Sequence, residues 1–378
     1  MGEPIKVPLV GLYEQNQPLA VELRDAFERV LDSSQFILGP EVIEFESLAA
    51  ESIGARHAIG TSSGTDALLL SLMTLGIGPG DEVLCPSFTF FATAGAIARI
   101  GAIPVFVDSI DTDFNIDLGD AERRITGKTK AIIPVHLFGQ AADMNGVQRL
   151  AKAHGLAVLE DAAQSMGATF DGQQVGTMGD LSAFSFFPSK NLGGFGDGGM
   201  ITTDHDDLAK RARILRVHGG APQYYHKAIG GNFRMDPLHA ALLGVKLGHL
   251  PGYLARRHAN AVQYLERLAK FDHVVEGRLV LPTEIESRDH TWNQFTLRVA
   301  NGKRDTLQEH LATNNISSAI YYPVPLHQQE CFAHLPNFGE SLPVCEKMAE
   351  EVLSIPVYPE LTEEQICHVV DTLANAPL

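Results

Sequence analysis

Cysteine is scarce in this chain, and what there is has no pattern. The four cysteines, Cys85, Cys331, Cys345 and Cys367, include no CxxC pair and no regular spacing, which argues against a disulfide scaffold and against a thiolate zinc site. No metal is expected. Long apolar runs are missing too: no stretch approaches the length of a membrane span. The N-terminal MGEPIKVPLVGLYEQ has no basic segment followed by an apolar one, so the expectation is a cytoplasmic protein with structural thiols. Basic residues are also few, with 29 Lys and Arg against 46 Asp and Glu and a formal charge of −17. Such a field repels nucleic acid and anionic membranes, so neither is an expected partner, and any anionic ligand must be held by local groups. Finally, no strand is followed by GxGxxG with an acidic residue at the right distance, which disfavours a nicotinamide dehydrogenase.

What is present reads as ordinary globular protein, 45% hydrophobic and 20% charged over 378 residues, a length at which one core usually gives way to two. Apolar positions at helical spacing over residues 19–31, with a second helix start after Gly39-Pro40, predict an N-terminal helical arm. From His57 onward, short apolar runs alternate with helical stretches. IPVFVD and AIIPVHL are almost wholly apolar, as parallel strands covered on both faces must be, and the rhythm predicts an α/β fold with a doubly wound, mostly parallel sheet. Beyond Pro251 the rhythm fades into a helix, strand candidates WNQFTLRV and SSAIYYPV, and a last helix TEEQICHVVDTLAN. We therefore expect a large domain over residues 1–250, including the arm, and a smaller α+β domain over 251–378.

Three features on the predicted sheet meet three demands of one kind of cofactor. The strand HAIG runs into Thr61-Ser62-Ser63-Gly64-Thr65-Asp66 and then an apolar helix, so free N–H groups at a helix N-terminus can face phosphate. Taken alone, this is more often a plain capped turn. The strand LAVLED delivers Asp161 to the carboxyl edge of the sheet, where ligands of such sheets bind. A carboxylate there can keep a pyridine nitrogen protonated and make the ring an electron sink, although a strand-terminal Asp commonly just caps the next helix. The segment SAFSFFPSKNLGGFGDGGM places Lys190 between an aromatic-rich strand and a run of glycines. Desolvation lowers an amine's pKa, and a neutral amine is what condensation with an aldehyde requires. A solvated surface lysine is the plainer alternative.

In order along the chain, SSGTDAL, PSFTFFATA, VLEDAAQSMGA, FSFFPSKNLG with GDGGM, GGNFRMD and YYPVPLH resemble the nucleotide-sugar aminotransferases often called the DegT/StrS family. The resemblance runs from Gly39 to Thr362, nearly the whole chain. It implies a fold-type-I transferase dependent on pyridoxal 5'-phosphate, with Lys190 bonded to the cofactor and Asp161 on its pyridine nitrogen. It further implies Gly64, Thr65 and Ser185 at the phosphate, Gln164 near the phenolic oxygen, and Phe90 stacked on the ring, with Phe88 as a rival. A homodimer with shared active sites is implied as well, Asn232 reaching the partner's cofactor phosphate. His218 and Arg234 become candidates for the substrate diphosphate, an arginine fork being suited to phosphate, and Tyr322 and His327 become candidates from the small domain. Relatives often carry histidine where this chain has Tyr321, which puts a substrate contact there in doubt.

The resemblance implies a reaction in two halves: an amino acid, glutamate in the family, leaves its amino group on the cofactor, and a nucleotide-linked keto-sugar takes it. The stretch KNLGGFGDGGM resembles members acting on C3 more than those acting on C4. The family's dehydratases carry histidine at the lysine position, so Lys190 argues against that branch. A non-catalytic cofactor-binding regulator is the alternative from another class.

Overall fold

A computed structural model of the chain describes residues 4–220, 224–335 and 338–378. Its centre is a seven-stranded sheet in the order His57–Thr61, Gly199–Thr203, Leu181–Ser185, Ala157–Asp161, Thr129–Ile132, Glu82–Pro86, Ile103–Val107. Gly199–Thr203 is antiparallel to both of its neighbours, and the other pairings are parallel. This is the mostly parallel α/β sheet that the apolar runs predict.

The two-residue period of the strands sends alternate side chains to opposite faces. Val158 belongs to one core cluster, together with Phe45, Phe184 and Leu243. Leu159, the next residue, belongs to the other, with Leu68, Leu70 and Ile97. Helices thus cover both faces, in keeping with the largely apolar strands. Asp161 and Ser185 end their strands at the carboxyl edge, and there the site forms.

A second sheet joins Leu279–Val280, Phe295–Val299 and Val352–Ile355 in antiparallel pairs. Its core holds Trp292, Phe295 and Tyr264, with Leu307 from helix Arg304–Thr313 and Val369 from helix Glu363–Ala374. Val7 lies in this same cluster and pairs with Ile316.

Two local expectations change. No helix ends at Pro251: Pro237–Leu268 is continuous, with Pro251 inside it. A proline there removes one helical hydrogen bond and costs about 3 kcal/mol, but Leu247, Leu250 and Tyr253 are all buried around it, and the packing of that face offsets the loss. SSAIYYPV is not a strand either. Ala319 makes a single bridge to Ser354, with N–H···O distances of 3.0 and 2.8 Å. The chain then leaves the sheet and carries Tyr321 and Tyr322 toward the large sheet's edge. Among the described residues no helix is long and apolar enough to cross a membrane.

Candidate active site

Strands His57–Thr61, Ala157–Asp161 and Leu181–Ser185 point the same way, so their carboxyl ends deliver Gly64, Asp161 and Ser185 to one edge. There a cavity of about 390 Å³ opens.

At one end stands helix Gly64–Leu75, capped by Ser63, whose hydroxyl accepts the Asp66 N–H at 3.0 Å. Among the described residues the N–H groups of Gly64 and Thr65 find no acceptor. They are free donors at a helix N-terminus, on the cavity wall beside Ser185. Residue 64 must be glycine, because a Cβ there would lie 2.7 Å from Cβ of Ser185. Gly199 answers the same need from below: its Cβ would lie 2.4 Å from the Ser63 carbonyl oxygen. That role is not apparent from sequence, where Gly199 is one of several in a run.

Asp161 is 5% exposed. Its Oδ2 accepts the Thr93 hydroxyl hydrogen at 2.7 Å and its Oδ1 the Ala163 N–H at 3.2 Å. Burial pushes the carboxyl above its ordinary pKa, while Thr93, Ala163 and the positive charge of Lys190 pull it down. Thr93 sits inside the PSFTFFATA motif, yet nothing in the sequence singles it out.

Lys190 faces the same cavity. Burial lowers its amine from 10.5 to about 8, with Asp161 acting in the opposite direction. The loop that carries it is tight: a Cβ on Gly193 would lie 2.1 Å from the Pro188 carbonyl oxygen. The buried Lys246 donates to the Gly193 carbonyl at 2.5 Å and so ties this loop to the long helix.

The cavity lies between these groups. Phe90 is on its wall and 55% exposed, whereas Phe88 is buried and stacked on Phe114. Of the two rivals, Phe90 alone can meet a ring in the cavity. Gln164 accepts the Phe138 N–H at 2.7 Å and donates from Nε2 to the Tyr322 hydroxyl at 3.0 Å, which orients its amide. Free amide donors for an anion, a buried carboxylate, an exposed aromatic face and an amine of lowered pKa suit a phosphorylated, aldehyde-bearing pyridine.

Residues 18–374 match the profile of the DegT/DnrJ/EryC1/StrS aminotransferase family. The chain belongs to this family. It is 44% identical to the UDP-N-acetyl-3-dehydro-alpha-D-glucosamine 3-aminotransferase of Acidithiobacillus ferrooxidans, over 99% of this chain and 98% of that protein. It is 47% identical to a protein of Geobacillus stearothermophilus named pleiotropic regulatory protein, over 98% of each. Among solved structures, DesV of S. venezuelae in complex with a ketimine intermediate superposes with a TM-score of 0.93 at 41% identity, 98% of each chain being covered. A sugar aminotransferase of Streptococcus pneumoniae, solved in both PLP and PMP forms, superposes with a TM-score of 0.85 at 26% identity, over 99% of this chain and 97–98% of that one. Sugar aminotransferases are thus among the relatives and structural neighbours of this DegT-family chain, some of them with pyridoxal phosphate or its amine bound.

The remaining candidates are placed differently. Tyr322 lines the cavity with Tyr321. His218, Asn232 and Arg234 do not. Asn232 pairs with Val217 and Arg234 with Thr61 through their backbones, and His218 and Asn232 are exposed. His327 is also elsewhere, 1% exposed, its Nδ1 2.7 Å from the Ser87 hydroxyl and its Nε2 3.3 Å from Glu346. It joins the YYPVPLH segment to the large domain's core and has no surface for a substrate. Sequence carries no sign of this, since a histidine beside a cavity and one behind it look alike.

Proposed function

We propose that this protein is a pyridoxal-phosphate-dependent aminotransferase that moves an amino group from L-glutamate to the C3 keto group of a nucleotide-linked sugar. The observation that carries the reading is the meeting of the Lys190 amine, the Asp161 carboxylate and the free Gly64 and Thr65 N–H groups around one cavity. When bound, the cofactor supplies an electron sink for charge developing at the substrate carbon.

The protein's own groups do the rest. Gly64, Thr65 and Ser185 bind the phosphate. Asp161, whose charged form its two hydrogen bonds favour against burial, holds a proton at the ring nitrogen. Phe90 covers one ring face and excludes water, and Gln164 orients the ring at its phenolic oxygen. Lys190 would condense with the cofactor's aldehyde with loss of water, and once displaced by the donor's amine its Nζ would carry a proton away from the donor's α-carbon. An amine that titrates near 8 is available in neutral form for both tasks at mildly basic pH.

The preference for C3 draws support from relatives named for 3-amino or 3-oxo sugars. A homodimer with shared active sites draws support from two observations. His218 and Asn232 are exposed and away from their own cavity, free to serve a neighbour together with Arg234. The arm and its surroundings also leave Val21, Phe27, Leu31, Phe36 and Ile43 between 45% and 67% exposed, apolar side chains that a second chain could cover. The regulatory name of the Geobacillus stearothermophilus relative favours a cofactor-binding regulator as the second reading. The complete set of cavity groups around Lys190 speaks for catalysis.

The two separate on one measurement. The spectrum of purified protein is recorded before and after L-glutamate, then with a panel of 3-keto and 4-keto nucleotide sugars. Loss of the cofactor's visible absorbance with glutamate, and its return with a 3-keto sugar, supports the proposal. An unchanged spectrum with every amino acid sinks it.

A further inference from the structure

Among the described residues Lys190 is the only cation on the wall of the central cavity, and Asp161 and Asp197 on that wall are acidic. An amino-acid donor brings at least one carboxylate into this space. Within this chain, a charge to receive it has to come from behind the wall.

Such a charge exists. A narrow cleft of about 20 Å³ has Arg257 on its wall and shares Ser189, Gln294 and Tyr321 with the cavity. Arg257 projects from helix Pro237–Leu268 and is 4% exposed. Its Nη1 donates to the carbonyl oxygens of Trp292 at 3.1 Å and Asn293 at 3.4 Å, and its buried Nε has no acceptor. These partners are neutral. Among the described residues Arg257 makes no ion pair, and Glu360, the acid nearby, is bridged instead to Arg256 at 3.7 Å. Burial pulls the guanidinium from 12.5 down to about 10, with Glu360 opposing.

A buried, oriented cation with donors to spare is poised for an anion, because pairing relieves the cost of its desolvation. The shape of the space decides which anion. A cleft of this volume admits about one oxygen atom, which suits a carboxylate reaching in from the cavity and is too small for a phosphate group. A second cleft, of about 10 Å³, also reaches Arg257, but Glu360 and Lys190 share its wall, so Arg257 does not act alone there. The cleft behind Gln294 and Tyr321 has no acidic residue on its wall.

We propose that Arg257 is the receptor for a carboxylate of the amino-acid donor, entered between Ser189, Gln294 and Tyr321 while the donor's nitrogen lies at Lys190. This rests on the transaminase reading above. It makes Arg257 a specificity determinant that distinguishes amino acids from simple amines.

The test titrates cofactor-loaded protein by calorimetry with glutarate, which lacks an amino group and does not react, and with its uncharged diamide. Wild-type protein should prefer glutarate by more than tenfold. In Arg257→Met the preference should fall to threefold or less, in Arg257→Lys it should be intermediate, and the donor's KM should rise in the same order. Equal affinity of wild type for the two ligands, or a full preference retained in folded Arg257→Met, overturns the proposal. A merely structural role would weaken both ligands together and leave their ratio unchanged, which also overturns it. Should the methionine variant not fold, the wild-type and lysine ratios decide. A spectrum indifferent to every amino acid would fail the transaminase reading alone, since the glutarate preference is measured without turnover.

Discussion

Thr93 donates its hydroxyl hydrogen to Asp161 Oδ2 at 2.7 Å, across 68 residues of sequence. The bond ties the start of helix Ala92–Arg99 to the end of a central strand. It favours the ionised form of a carboxylate whose pKa burial pushes up.

Thr93→Val keeps the shape and removes the donor. A hydrogen bond to a charged group contributes about 1.5–3 kcal/mol, so kcat should fall about ten- to hundredfold and the melting temperature should drop as well. Steady-state kinetics at several pH values check this. Asp161 should titrate higher in the variant, and an unaltered pH profile would refute the role given to Thr93.

Lys190→Ala should hold the cofactor without a covalent bond and lose transamination. The amine also leaves a thermodynamic signature in cofactor-free protein. Its folded pKa of about 8 lies below the ordinary 10.5, so between these values the unfolded chain binds the proton and the folded one does not. Stability therefore rises with pH across that window, the burial cost being fully present below pH 8 and relieved above 10.5. The gain is up to about 3 kcal/mol before solvent screening. Buried Tyr264 and Cys85, whose pKa values are raised by burial, act in the opposite sense. The measurable quantity is accordingly the difference between wild type and Lys190→Met in denaturant titrations from pH 7 to 11, and parallel curves would contradict the assignment.

Gly64→Ala places a methyl group 2.7 Å from Cβ of Ser185, and overpacking of this kind costs about 1–3 kcal/mol. Cofactor affinity should drop at least tenfold as the helix N-terminus is pushed from the cavity. Adding Ser185→Gly makes room, so the double variant should recover stability relative to Gly64→Ala alone. Additive losses in the double-mutant cycle would show that the two residues do not share the space.

Phe88 and Phe90 should separate cleanly. Phe88→Ala empties a buried site and should cost about 3–5 kcal/mol. Phe90→Ala, at a residue 55% exposed, should leave the melting temperature nearly unchanged while loosening the cofactor. Fluorescence titration of cofactor into each variant, beside a thermal melt, is sufficient. A stability loss at Phe90 equal to that at Phe88 would mean that Phe90 is core.

The groups nearest the cofactor's reactive parts were legible because each sits at a fixed offset from a strand end. Gly64 follows HAIG, Asp161 ends LAVLED, and Lys190 follows SAFSFF, so locating the strands locates the site. Residues that act through another residue left no such trace. Thr93, Lys246 and Arg257 are one threonine, one lysine and one arginine among many, and their importance lies in what they face across the fold. His327 shows the converse, a conspicuous histidine in a matching motif that packing turned inward to Ser87 and Glu346.

By itself, then, the sequence determined the class of fold and the order of the site's parts, because apolar periodicity and strand-end chemistry are local properties that neighbouring residues already express. Tertiary structure alone decided which of two phenylalanines meets the cavity, which polar residues favour the charged form of Asp161, and where a buried cation, without an ion pair among the described residues, lies behind the wall. Burial, distance and the orphaning of a hydrogen-bonding group are relations between residues far apart in the chain, and they exist only once the chain has folded.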